Sequence, residues 1–193
     1  MTTLPTFTSV TVTSSNVYNG GIGVYTITIV ADLNLYTTDI FYITFPPEVT
    51  LPSSPSCTAG SSLSQATCTS PSSNTLKVVL KFSSSPLQAG TAFTFTVTNV
   101  KNPSSTKISS GFSGIQAFDS TSNLIATFSG TAPTVKNLSP ASATGTLSQY
   151  DNDVGVANQY TIVYTTINSM VAGATFQITY PSNIAASSPF TVC

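Results

Sequence analysis

Apolar and polar residues alternate with a period of two along most of the chain. Over 91–99, Phe93, Phe95 and Val97 fall on one face and Thr94, Thr96 and Thr98 on the other, which predicts a strand with one buried side. Leu76, Val78, Leu80 and Phe82 repeat the pattern against Lys77 and Lys81. Further strands are predicted over 6–13, 24–31, 39–45, 111–119 and 123–129. Between them, Gly, Pro, Ser and Asn clusters such as Asn19-Gly-Gly21, Phe45-Pro-Pro47 and Asn102-Pro-Ser104 mark turns. No stretch carries a capped helical period. Seven short strands separated by turn signals predict an all-β fold, an immunoglobulin-like antiparallel β-sandwich.

The same apolar faces recur. Residues 25–49 align without gaps with 160–184 at an offset of 135, and Tyr25/Tyr160, Ile27/Ile162, Phe41/Phe176, Ile43/Ile178 and Pro46/Pro181 are identical pairs. Most of these positions share one strand face, where a core would hold them. Upstream, Pro5-Thr6 matches Pro133-Thr134 at an offset of 128, which places about seven extra residues of the second copy near 149–155. Residues 1–130 therefore read as a complete sandwich. Residues 131–193 read as a partial copy holding its first three strands, expected at 134–140, 157–166 and 173–180. Such a fragment leaves an apolar face bare and a strand edge unpaired. Either further chain or a neighbouring subunit is expected to complete it.

Composition narrows the chemistry. The chain has 193 residues with five Lys and six Asp or Glu, and no Arg, His or Trp. Charged residues make up 6% of it, against roughly 25% in an ordinary domain, so Ser and Thr, about a third of all positions, must build the polar surface. The absence of His removes Ser-His triads and His-ligated metals. The absence of Arg removes bidentate phosphate recognition. A net charge of -1 excludes the basic footprint of nucleic-acid binding. No apolar run approaches the roughly 20 residues of a membrane-spanning helix, and the first residues lack a signal-peptide pattern, so any export signal is expected outside this sequence or already removed.

Candidate sites are few. Cys57 and Cys68 enclose a Ser-rich stretch at a spacing that permits a local disulfide contributing about 3 kcal/mol; two reduced thiols are the alternative. In the repeat Cys193 falls within one residue of the position of Cys57, which marks it as unpaired or intermolecular and points to an oxidising compartment. Asp151, Asn152 and Asp153 form either a solvated Asx turn or a weak calcium site. Asn137 heads the only N-glycosylation sequon, Asn137-Leu-Ser139, with Pro140 directly after it. The Ser/Thr/Pro stretches 50–73 and 102–110 are read as polar loops and candidates for O-linked sugar. Asp32 and Asp39 flank one turn as paired carboxylates do in glycosidases, but Ile167 and Ala174 stand at the matching places of the second copy. Ser-Lys chemistry at Lys77, Lys81 or Lys101 competes with the simpler role of a solubilising edge charge. The balance is against an enzyme, and no cofactor other than calcium is expected.

Tyr160-Thr-Ile, followed by Gly173-Ala-Thr-Phe-Gln-Ile-Thr-Tyr-Pro-Ser-Asn-Ile184 and then a Cys, resembles the tandem immunoglobulin-like repeat surface proteins of ciliates and other microbial eukaryotes. Thr38 and Pro47 depart from the motif in the first copy. The resemblance implies a cell-surface or extracellular-filament role and carries no catalytic residues with it. The expected function is a glycosylated structural subunit of an extracellular filament or surface coat, a homopolymer joined end to end. The alternative is an adhesin holding carbohydrate or protein with its sandwich-end loops.

Overall fold

The computed structural model describes residues 4–140, 144–150, 153, 155, 159–166, 175, 177–179, 182 and 184. Alternation sorts the first part of the chain into nine strands: β1 (Phe7–Ser14), β2 (Ile22–Ala31), β3 (Ile40–Thr44), β4 (Cys57–Ala59), β5 (Leu63–Ser72), β6 (Thr75–Phe82), β7 (Ala92–Lys101), β8 (Ser113–Phe118) and β9 (Leu124–Thr127). They form a two-sheet sandwich in which β1-β2-β7-β4 lies in one sheet and β5-β6-β3-β8-β9 in the other, with antiparallel pairing between the strands. The fold class is the predicted all-β sandwich. Between the sheets, Ile27, Ile29, Phe93 and Phe95 meet Phe41, Ile43, Leu76 and Val78 with almost no exposure. Aromatic edges lock the middle: Phe93 lies edge-on to Phe41 at 5.4 Å and to Phe82 at 5.5 Å.

Two register shifts adjust the alternation to the core. Between Phe7 and Ser9 the pairing of β1 with β2 slips, so that Phe7 and Val10, three residues apart, are both buried. Between Gly23 and Tyr25 the pairing with β7 slips again, around Asn99 at φ 60°. That bulge buries Val100 as well as Val97 and carries Asn102 under the end of the sandwich. There the Asn102 amide makes four side-chain bonds. Its Oδ1 accepts from the Tyr25 hydroxyl at 2.7 Å and the Ser14 hydroxyl at 3.1 Å, and its Nδ2 donates to the carbonyls of Asn16 and Tyr18 at 2.8 Å each. Burial pushes the Tyr25 hydroxyl up to about 12 although the Ser14 bond pulls the other way, so Tyr25 remains a donor at any ordinary pH.

β4 and β5 correct the expectation of a loop over 50–73. Apart from Leu63 at the start of β5, only small, partly buried residues, Cys57, Ala59, Ala66 and Cys68, lean on the core there, and their outward neighbours are mostly hydroxyl residues, so the alternation is masked by composition. β4 is the edge of one sheet and β5 the edge of the other. Cys57 and Cys68 join them in a disulfide with Cα atoms 5.7 Å apart, tying the two sheets on that side. On the opposite side Thr6 pairs with Thr127 in a parallel bridge and Thr127 N donates to Pro5 O at 3.3 Å. Replacing both cysteines by Ser is expected to lower the unfolding free energy by about 3 kcal/mol, the loop-closure entropy of an 11-residue separation. Equal urea midpoints for the oxidised protein and the double variant would remove that role.

The second copy begins later than the sequence suggested. Residues 132–139 are not its first strand but a strap on the first sandwich: Phe112 N donates to Pro133 O, Ser109 N to Val135 O and Ser139 N to Val17 O, and Val135 and Leu138 enter the core. The first strand of the repeat is β10 (Thr144–Gln149), which pairs antiparallel with β11 (Tyr160–Thr165). The six pairs from Thr144↔Thr165 to Gln149↔Tyr160 each lie 135 residues beyond the six from Ser9↔Val30 to Ser14↔Tyr25. The turn bond repeats too, Tyr150 N to Gln159 O matching Ser15 N to Val24 O. The hairpin loops are therefore equally long, and the extra residues assigned to 149–155 belong before β10. The Pro-Thr match upstream is a coincidence of a Thr-rich chain.

Candidate functional site

Asp32, Asp39 and Lys77, three of the charged residues singled out by the sequence, are held by neighbours. Asp32 accepts from Thr6 N at 2.9 Å and Thr6 Oγ1 at 3.0 Å, fastening the start of β1. Asp39 is buried and its Oδ2 accepts from Tyr36 N at 2.8 Å. Burial holds the Asp39 carboxyl above the usual carboxylate range, opposed by the Tyr36 N–H and aided by the charge of Asp119. Asp32 thus ties two strands together and Asp39 closes its own turn, each with a different partner. Asp119 is capped by Asn123 and Thr121 donors that bring it down to about 2, a solvated Asx turn joining β8 to β9. Lys77 lies over the Tyr42 ring, 6.0 Å from its centroid.

The other candidates fare unequally. Asn137 is exposed, at φ 59°, on the strap between buried Val135 and Leu138. In the stretch 102–110, residues 104–108 are exposed while Asn102, Pro103 and Ser109 are buried. Asp151, Asn152 and Cys193 lie outside the described residues, whereas Asp153 is described. Among the described residues no group of three metal-ligating side chains is assembled, and no helix is long and apolar enough to cross a membrane.

What the structure brings together is an uncovered half of a core. In the first sandwich Ile27 and Ile43 are 0% and 1% exposed. Their counterparts Ile162 and Ile178 are 42% and 52% exposed, and Leu147, which repeats Val12, is 64% exposed. These side chains, with Tyr160, Thr179 and Ile184, line a groove of about 270 Å³, and no charged residue is among its described lining. Among the described residues β10 and β11 pair only with each other, whereas β2, the counterpart of β11, has a neighbour on each side. An exposed aliphatic groove of this kind suits another extended, apolar segment.

A second concavity was not foreseen. On the outer face of the five-stranded sheet, Ile40, Tyr42, Thr44, Gln116 and Phe118 line a groove of about 370 Å³. Tyr42 and Phe118 meet edge-to-face at 5.5 Å. Gly114, at φ 53°, keeps it open, since a Cβ there would sit 2.9 Å from Thr44 Oγ1. The signal was two outward aromatics at polar positions of their strands, but only the pairing of β3 with β8, Tyr42 opposite Gln116, brings them together. Gln177 stands at the place of Tyr42 in the second copy, so the groove is not a repeated feature.

No protein-family model matches the chain, and no curated protein sequence matches it. Among solved structures, the second type II cohesin module from the cellulosomal adaptor ScaA scaffoldin of Acetivibrio cellulolyticus is similar with a TM-score of 0.43 and 15% identity, over 72% of this chain and 100% of that one. A non-cellulosomal cohesin from the hyperthermophilic archaeon Archaeoglobus fulgidus gives 0.41 and 17%, over 68% and 89%. A protein from Nocardia farcinica with an immunoglobulin-like fold gives 0.39 and 17%, over 67% and 98%.

Proposed function

We propose that the protein is a structural subunit of an extracellular filament or surface coat, in which immunoglobulin-like units join end to end. The observation that carries this is the uncovered hairpin: six strand pairs copied from the first sandwich, presenting an apolar groove whose counterpart is sealed. Such a surface is costly for a monomer and useful to a polymer. The sparse charge supports the same reading, because contacts between hydroxyl-rich surfaces avoid desolvating ions and low net charge favours association. The disulfide supports an oxidising, extracellular location, and exposed Asn137 and the loop residues 104–108 offer places for glycans. The division into a complete unit and a partial one, and kinship with the tandem-repeat surface proteins of microbial eukaryotes, belong to the same proposal, which requires neither catalysis nor a cofactor.

The full chain is expected to associate into elongated particles under electron microscopy. Replacing both Leu147 and Ile162 by Asp is expected to abolish association while leaving the melting of the first sandwich unchanged. Each substitution would place a carboxylate in the groove, where an unpaired charge costs several kcal/mol to bury. A wild-type chain that stays a dispersed monomer at all concentrations would overturn the filament reading. That result would favour the second one, a soluble adhesin, which the Tyr42–Phe118 groove supports. Its aromatic walls and hydroxyl and amide groups suit an uncharged, hydroxyl-rich ligand, held on the sheet rather than by the sandwich-end loops.

A further inference from the structure

On the outer face of the four-stranded sheet hydroxyls meet hydroxyls: Thr26 stands opposite Thr96 and Thr28 opposite Thr94. β3 and β8 depart from this. Phe41, Ile43, Ile115 and Ala117 fill the core from these strands, so packing does not call for the rings of Tyr42 and Phe118 on the opposite face, where both stay partly exposed. The pairing of β3 with β8 slips between Tyr42 and Thr44, with Gly114 at φ 53° in the bulge, a device that bends a sheet and re-aims its side chains. The resulting groove of about 370 Å³ falls within the roughly 300–1,000 Å³ of small-ligand sites. Its walls are preset. Tyr42 lies between Lys77, opposite it on β6 and 6.0 Å over its ring, and Gln116, opposite it on β8, with Phe118 at 5.5 Å edge-to-face, so that a ligand would have little to immobilise.

Around the rings stand polar groups with bonding capacity to spare. The Gln116 amide, the Tyr42 hydroxyl and the hydroxyls of Thr44, Thr75 and Ser122 make no hydrogen bond within the described residues. No charged residue is among the described lining. The flanking charges, Lys77 and Asp119, are of opposite sign, and Asp119 Oδ1 is taken up by Thr121 and Asn123. The geometry points to a site for a neutral glycan of glucan or chitin type. In such pyranoses the hydroxyls are equatorial and lie around the rim, which leaves C–H bonds on the flat faces. The C–H face packs on Tyr42 and Phe118, whose ring faces are electron-rich, and the rim hydroxyls donate to and accept from Gln116, Thr44, Thr75 and Ser122. An apolar peptide would leave these groups unpaired, which discriminates against it, and an ionised ligand would meet no counter-charge in the groove. The inference rests on the second reading above and deepens it by naming the ligand and its seat.

The test titrates cellohexaose, laminarihexaose and chitohexaose into the full chain below the concentration at which it associates, with cellohexaose oxidised to the uronate at C6 as the charged control. Amide chemical shifts at 40–44, 114–118 and 122 are expected to move saturably with at least one neutral chain, and the oxidised chain should bind more weakly. Tyr42→Ala should weaken binding by about tenfold or more and Gln116→Ala by about fivefold, with the amide spectra of β2 and β7 unchanged. No shift there with any neutral chain, or equal affinity for wild type and Tyr42→Ala, would overturn the inference. Saturation of these amides by an uncharged apolar peptide but by no sugar would also overturn it, and would leave the soluble adhesin standing with a protein ligand. Saturable sugar binding by a chain that also forms filaments would uphold the glycan site and remove the soluble adhesin.

Discussion

Replacing Asn102 by Ala is expected to lower the unfolding free energy by about 4 kcal/mol, four side-chain hydrogen bonds at about 1 kcal/mol each. The amide joins the end of β7 to the β1–β2 loop: it accepts from Tyr25 and Ser14 and donates to the carbonyls of Asn16 and Tyr18. The two carbonyls and the Ser14 hydroxyl keep other partners, since Ser14 Oγ also donates to Asn16 O and Gly21 N donates to Tyr18 O. The Tyr25 hydroxyl, with its side chain fully buried, loses the acceptor that Asn102 supplies. For a chain of this size the loss corresponds to a melting temperature lower by about 8–16 °C. Asn102→Asp tests the donor half separately. It keeps an acceptor for Tyr25 but turns an oxygen toward two carbonyls, so its carboxyl is expected to titrate above the ordinary value. The variant should then be more stable in acid, where the carboxyl can donate, and lose stability as pH rises through that raised value. A calorimetric midpoint for the Ala variant within a degree or so of the wild type would dismiss the hub.

Phe93→Ala is expected to cost about 3–5 kcal/mol, the range for emptying an aromatic seat in a rigid core. Phe93 is completely buried on β7 and lies against Phe41 of the opposite sheet and Phe82 of β6, edge to face in both cases. Neither neighbour can slide into the space, because each is fixed to a paired strand: β6 between β5 and β3, β3 between β6 and β8. Phe93→Leu retains most of the volume and should cost less than about 1.5 kcal/mol. Urea unfolding of the two variants gives the comparison directly. Similar losses for Ala and Leu would mean that ring contacts, and not filled volume, stabilise the centre of the sandwich.

Seven of the nine strands of the first sandwich were legible: five place two or more large apolar residues at alternate positions, as Phe93-Thr-Phe-Thr-Val97 does, and β8 and β9 alternate Ile115 with Ala117 and Leu124 with Ala126 between turn signals. β4 and β5 were not, since apart from Leu63 their inward residues are Cys and Ala and their outer faces are mostly Ser and Thr. The disulfide followed from spacing and is present, yet its structural meaning, joining two sheet edges, required the pairing. The repeat was legible where core residues match and misleading where turn residues match: Pro5 and Pro133 suggested one offset, and the hairpin register of Val12 with Ile27 and Leu147 with Ile162 establishes another. Asn102 read as a turn residue because it precedes Pro103. Nothing local reveals that a bulge three residues earlier aims its amide inward. The Tyr42–Phe118 groove joins residues far apart in sequence, a proximity that alternation within a single strand does not encode.

The strap at 132–139 has a mechanical consequence. The chain enters the first sandwich beside Thr6, bonded to Thr127, and leaves it beside Tyr18, where Ser139 bridges in parallel. Between these points runs β1, eight residues and about 26 Å long at about 3.3 Å per residue. Tension along the polypeptide therefore runs lengthwise through the unit. It loads the bonds of Ser139 with Val17 and Asn19, and the β1–β2 ladder, in shear, so that many must fail together instead of opening one by one. A string of such units would resist pulling from end to end and carry force along its axis, with β1 as the tie rod of each link.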